Sequence, residues 1–147
     1  MERQCTSLRS IFNSNIAACH AKLGDHKTAV QFCDDSLLDV PTYAKALHRR
    51  ATSNEVLDTW SSLSSAQTDY QTLVDTLPSS SPLRPSAQRA LKSLPPRIQV
   101  AQKRETDEMV DKLKGVGNSI LGHFGLSTDN FKFTPNGQGG YSMNFVQ

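Results

Sequence analysis

The sequence predicts an all-α chain. It reads as a helix-turn-helix solenoid of two units, closed by a long C-terminal capping helix and a short C-terminal β-hairpin. Three observations predict this. The stretch SIFNSNIAACHAKLGDHKTAVQFCDDSLLDVP, Ser10 to Pro41, has two helical halves around Gly24-Asp25. The segment from Tyr43 to Pro78 repeats that plan. Met109, Leu113, Val116, Ile120 and Phe124 then recur at steps of 4, 3, 4 and 4, one stripe on one helix.

In the first unit, counted as 34 residues from Ser10, Ala17 falls at position 8, Gly24 at 15, Ala29 at 20 and Pro41 at 32. Small residues at 8 and 20 let two antiparallel helices approach closely. Gly24 ends the first helix without a Cβ penalty, and Pro41 cannot continue the second. The helices are expected over about Ser10–Leu23 and His26–Asp39, with Asp25 as N-cap. Ala29, Val30, Cys33, Leu37 and Leu38 should form the second helix's inner face. Residues 1–9 are too short for a unit and form an N-terminal remnant. Ile11, Phe12 and Ile16 then have nothing before them to cover them. Either a first unit lies upstream, which is the preferred reading, or the chain pairs with another copy.

The second unit, 43–78, has a first helix over about Tyr43–Leu57, with Tyr43, Ala44, Leu47 and Ala51 inside. Asp58-Thr59-Trp60-Ser61-Ser62 replaces the Gly-Asp turn, and Trp60 should pack over it. From Ala29 to Ala66 the step is 37, three more than one period. The extra residues are expected in a surface turn. Ala66, Tyr70, Leu73, Val74 and Leu77 line the next helix.

Residues 79–84 are a Ser/Pro linker. In 85–124, a short helix from Pro85 to about Leu94 is expected, then a corner at Pro95-Pro96, then the long helix from Arg97 to about His123. That helix should lie on the last unit through its stripe, or else serve as an interaction helix. In 125–147, Asn130–Thr134 and Tyr141–Val146 alternate apolar and polar around Pro135-Asn136-Gly137-Gln138-Gly139-Gly140, a hairpin pattern. Phe131 and Phe133, with Tyr141 or Met143 and Phe145, should dock that ribbon on the long helix, because a lone two-stranded ribbon is marginal.

Composition excludes several functions. The chain has 147 residues, 37% apolar, with a net charge of +2. The charge is too mild for a nucleic-acid surface and forms no basic stripe. No apolar run suggests a leader or a membrane span. Cys5, Cys19 and Cys33 are odd in number and lack metal spacing. They read as reduced, with Cys19 and Cys33 in the core, which places the chain in the cytosol or nucleus; cytoplasmic is the preferred reading. His20, His26, His48 and His123 have no metal spacing either. No enzyme, metal or cofactor is expected.

The first unit's pattern resembles the tetratricopeptide repeat, and the second follows with its departure at the turn. The tail, LPPRI, then EMVDKLKGVGNSILGHFGLSTDNFKF, then GGYSMNFVQ, resembles the C-terminal region of the tetratricopeptide repeat protein 1 family. The two likenesses cover nearly everything from Ser10. They imply a cytosolic, non-catalytic adaptor that binds acidic C-terminal tails of the Hsp70 and Hsp90 chaperones and some small signalling GTPases. They also imply three repeats, of which this chain carries the last two.

In chaperone-binding members a carboxylate clamp of five polar residues holds a C-terminal Asp. Asn15 in NSNIAAC matches the clamp Asn of the middle repeat. Lys45 and Arg49 in YAKALHRRA match the Lys and Arg of the last. The geometry agrees. Lys45 and Arg49 are i, i+4 on one helix face, and Asn15 and Arg49 are 34 apart, side by side in adjacent units. Amide, ammonium and guanidinium donors converging there suit a carboxylate. The first repeat's Lys and Asn have no counterpart, and Ile16 stands where the family has Arg, so the clamp is partial. The alternative is a structural assembly subunit or a GTPase adaptor without a peptide-carboxylate site. Self-association through Ile11, Phe12 and Ile16 belongs with that alternative.

Overall fold

The structure is a computed structural model that describes residues 2–136 and 140–145. Its class is all-α. Five helices, α1 (Glu2–Lys22), α2 (His26–Asp39), α3 (Ala44–Leu57), α4 (Trp60–Thr76) and α5 (Arg84–Leu121), precede two short strands, β1 (Phe131–Asn136) and β2 (Gly140–Phe145). The chain divides into two compact units, one through Lys103 and one from Arg104.

In the first unit, helices joined by two to seven residues pack on their neighbours. α1 and α2 run antiparallel. Arg9 Nε donates to Asp39 Oδ2 at 2.7 Å near one end, and His20 stacks on Phe32 near the other, centroids 5.4 Å apart. The seam between them is built from small side chains. Ser10, Ser14, Ala17, Ala29, Cys33 and Ser36 are all buried. The Ser36 hydroxyl donates to the Ser10 carbonyl at 2.7 Å, so the close approach leaves these hydroxyls satisfied.

α1 begins at Glu2, so residues 2–9 are its first turns and the expected start at Ser10 is too late. No Gly or Pro interrupts residues 2–22, and the Arg9–Asp39 pair ties that end to α2. Ile11, Phe12 and Ile16 are exposed, with Phe12 at 64%, and Leu8 joins them at helical spacing. Two expected core positions are solvent-facing instead. Leu38 is 81% exposed and Cys19 is exposed; Leu38 is one residue past buried Leu37, and Cys19 two past buried Ala17.

Each turn has its own chemistry. Gly24 takes φ +81°, and the Asp25 carboxylate accepts the Thr28 N–H at 3.2 Å. The α3–α4 turn does this without glycine. Asp58 sits at φ 50°, and Thr59 and Ser62 form a reciprocal capping box. Only Asp58 and Thr59 separate α3 from α4. The three extra residues do not enlarge a loop: α4 has 17 residues where α2 has 14. Trp60 opens α4, partly exposed.

The main core joins Leu37, Ala46, Leu47, Ala51, Leu63, Ala66, Tyr70 and Leu73 to Ala87, Leu94 and Ala101 of α5. The expected corner at Pro95-Pro96 is absent: α5 runs through both prolines. Each proline lacks the N–H that would bond the carbonyl four residues back. Lys92, Pro95 and Pro96 face solvent, so water can reach that side, while Ala87, Leu94 and Ala101 repeat every seven residues on the buried side. Keeping that stripe in register requires a straight run. Capping therefore falls to the first half of α5. Met109, Leu113, Val116, Ile120 and Phe124 are exposed.

In the second unit, α5 ends in a 3-10 turn, Gly122–Phe124, and Gly125 at φ +69° reverses the chain. The Asn118 side-chain oxygen then accepts the Thr128 N–H at 2.6 Å. A Cβ on Gly117 would sit 3.0 Å from Thr128 Cγ2, so glycine there permits the return. β1 and β2 pair antiparallel, Phe131 opposite Phe145 and Pro135 opposite Tyr141. Met143 is exposed. The side chains of Phe133, Tyr141 and Phe145, and residues 137–139 of the expected loop, lie outside the described residues, as do Val146 and Gln147.

Candidate functional site

Asn15 lies on α1, and Lys45 and Arg49 on α3. α1 and α3 meet directly, because α2 reverses the chain between them. Arg49 makes that contact. Its Nη1 donates to the Ser14 carbonyl at 2.7 Å, to the Ser14 hydroxyl at 2.6 Å and to Asn15 Oδ1 at 3.3 Å. The spacing of 34 residues therefore places Asn15 and Arg49 side by side, as the sequence predicts.

Ser14 was not among the expected site residues. It is fully buried, and it orients the guanidinium with two acceptors. The signal in the sequence was slight: a small hydroxyl residue next to Asn15, at the position where α1 passes α3. Thr52 Oγ1 donates to the Arg49 carbonyl at 3.0 Å, one turn further along α3.

Lys45 stands one turn before Arg49, about 6 Å along the axis by helix geometry. It is exposed, and among the described residues no hydrogen bond or ion pair holds its ammonium. Lys45 is thus near the Asn15–Arg49 pair but is not joined to it.

The site offers donors. Asn15 turns its amide oxygen to the guanidinium, which leaves its NH2 outward. Arg49 keeps Nε and Nη2 free of protein partners among the described residues. Lys45 adds three N–H donors. Two cations and one amide with no outward acceptor suit an anion, and the planar guanidinium suits a carboxylate.

A different chemistry surrounds Arg50, on the next position of α3. Its Nε and Nη2 donate to the buried Asp69 at 2.8 and 2.6 Å, and its Nη1 to Asp34 at 2.6 Å. These carboxylates raise the Arg50 pKa, the Asp69 hydrogen bond most of all. Arg50 joins α2, α3 and α4 and is not free for the anion site. His48, which meets the Tyr70 ring edge-on, has its pKa lowered, first by burial and then by Arg49. Burial pushes the Cys33 thiol up to about 12.

Among the described residues no three His, Cys, Asp or Glu side chains converge as a metal site. Among them too, no helix is long and apolar enough to cross a membrane. No protein-family model matches the chain, nor does any solved structure. Fold and site together define an all-helical chain carrying a small, cationic, donor-only corner between α1 and α3.

Proposed function

We propose that the chain is a non-catalytic protein-protein interaction adaptor of the tetratricopeptide-repeat kind, working in the cytoplasm. Its ligand is an acidic peptide with a free C-terminal carboxylate, of the kind that ends the Hsp70 and Hsp90 chaperones. Asn15, Lys45 and Arg49 form a partial carboxylate clamp. One observation carries this reading: Arg49 crosses from α3 to Ser14 and Asn15 of α1, so one carboxylate could meet donors from both helices.

The strength of such a site is bounded. Hydrogen bonds to charged groups contribute about 1.5–3 kcal/mol each, less where solvent screens them. A clamp of three donors should therefore bind weakly and lose affinity in salt. Titration with an acidic peptide ending in free Asp, and with the same peptide amidated, tests it. The free acid should bind, and the amidated form should bind at least tenfold more weakly. Equal affinity for both, or no change in Arg49→Ala, rejects the clamp.

A second reading is favoured by a separate observation. Leu8, Ile11, Phe12 and Ile16 form an exposed apolar stripe on α1. As an assembly subunit or small-GTPase adaptor, the chain would use that stripe and no peptide carboxylate. Light scattering separates the two: self-association abolished by Phe12→Ser, with no peptide binding, supports assembly.

A further inference from the structure

A cleft of about 410 Å³ opens between α2, α3 and α4, away from the α1–α3 site. Asp34, Arg50, Asn54, Ser61, Ser65 and Asp69 line it. Asn54 is only 5% exposed. Among the described residues its side-chain amide makes no hydrogen bond, although its backbone carbonyl accepts from Asp58. The amide reaches the cleft surface with no protein partner, so its hydrogen bonds are open to water or to a ligand group.

The charge of the cleft sets what that something is. One guanidinium faces two carboxylates, which leaves a formal −1. Three of the five Arg50 N–H groups donate to Asp34 or Asp69, and each Asp69 oxygen accepts one of them. Asp34 uses one oxygen and is half-exposed, so its other oxygen remains. Ser61 and Ser65 have no side-chain hydrogen bond among the described residues. The unspent capacity is mixed: Asp34 Oδ2, Asn54 Oδ1 and two hydroxyls can accept, beside the Asn54 NH2 and two Arg50 N–H groups. The net charge of the wall decides between a cation and an anion. An anion would meet a net negative wall, with the arginine charge already shared by two carboxylates. A donor-only cation would meet four acceptors.

We propose that this cleft is a second binding site, which takes a basic side chain, lysine or arginine, from a partner protein. Asp34 supplies the charge and Asn54 reads the donor geometry from the cleft floor. The site is independent of the donor-only corner on α1 and α3.

NMR titration of the isotope-labelled full chain with the capped peptides Ac-Gly-Lys-Gly-NH2, Ac-Gly-Arg-Gly-NH2 and Ac-Gly-Glu-Gly-NH2 tests this. The basic peptides should shift the Asn54 side-chain NH2 and the Ser61 and Ser65 amides saturably. The glutamate peptide should not. Asp34→Asn keeps an acceptor for Arg50 and should weaken binding about tenfold. Lys45→Ala should leave it unchanged. Saturable shifts with either basic peptide alone still support the site. It is overturned by no saturable shift with either, by equal shifts from the glutamate peptide, or by unchanged affinity in Asp34→Asn. Asn54→Ala is informative only if it folds; Asp34→Asn decides without it.

Discussion

Arg97 of α5 grips Glu55 of α3 twice: Nη1 donates to Glu55 Oε2 at 2.7 Å, and Nη2 to the Glu55 carbonyl at 3.0 Å. The Tyr70 hydroxyl donates to the other Glu55 oxygen at 2.7 Å, so one carboxylate ties α3, α4 and α5. Removing it leaves the tyrosine hydroxyl and the guanidinium without that acceptor. Glu55→Ala should cost about 1–3 kcal/mol, and Glu55→Gln less. Urea unfolding should show a lower midpoint at unchanged slope. In a double-mutant cycle with Arg97→Ala, a coupling near zero would mean that the grip adds nothing.

Ser14 should matter to binding through Arg49. Ser14→Ala removes one acceptor from Nη1 but keeps the backbone carbonyl. Affinity for a free-acid peptide should fall a few-fold, with a smaller loss of stability than Arg49→Ala causes. Lys45→Ala should weaken the same peptide by about tenfold at low salt while the melting temperature stays put, because the exposed ammonium holds nothing in the fold. Calorimetry beside thermal melts separates the two roles.

His48 should make stability fall in mild acid. Its folded pKa is lowered by burial and by Arg49, so the unfolded chain binds a proton more readily. The penalty is absent well above the unfolded value of about 6.5 and grows as pH falls through it. His48→Gln should flatten this part of the profile. The expectation fails if the difference between wild type and variant is constant from pH 7.5 to 5.

Pro95→Ala and Pro96→Ala should each stabilise the protein. Each restores an N–H to a helix that is already continuous, at an exposed position. An interior proline costs up to about 3 kcal/mol, offset in part by its stiffening of the unfolded chain, so a gain of about 1–2 kcal/mol is expected. A lower unfolding midpoint in either variant would show that the prolines set a bend that the core needs.

These residues show what the sequence could tell. Gly24-Asp25, the small pair Ala17 and Ala29, and the register of Asn15 with Arg49 were readable because each rests on one local rule: a left-handed turn, a close helix crossing, a repeat period. Pro95-Pro96 misled because the local rule was outweighed. A breaker signal counts two lost hydrogen bonds but not the buried stripe that runs past them. Leu38 and Cys19 were misplaced by one and two positions, since apolar character cannot tell which edge of a helix faces a neighbour. Ser14 left only a slight signal and Asn54 none: a buried serine or asparagine looks like a surface one until its surroundings are known. The start of α1 was placed too late because residues 1–9 were set aside as too short for a unit, although nothing in residues 2–9 breaks a helix.

The second inter-helix turn, where Asp58 stands in place of glycine, has a consequence for how the chain can vary. A side chain in the left-handed region is held there at a cost of roughly 1–2 kcal/mol, yet Asp58 accepts from Arg97 Nη2 at 2.9 Å, 39 residues away. Gly24 answers only to its own corner; Asp58 answers to a corner and to a distant helix at once. Replacing it with glycine would relax the backbone and sever the link in one step. A near-zero net change there would therefore report two opposed effects rather than an indifferent position. The cost of glycine at position 58 should therefore depend on whether Arg97 is present, and a double-mutant cycle over the two reads that dependence.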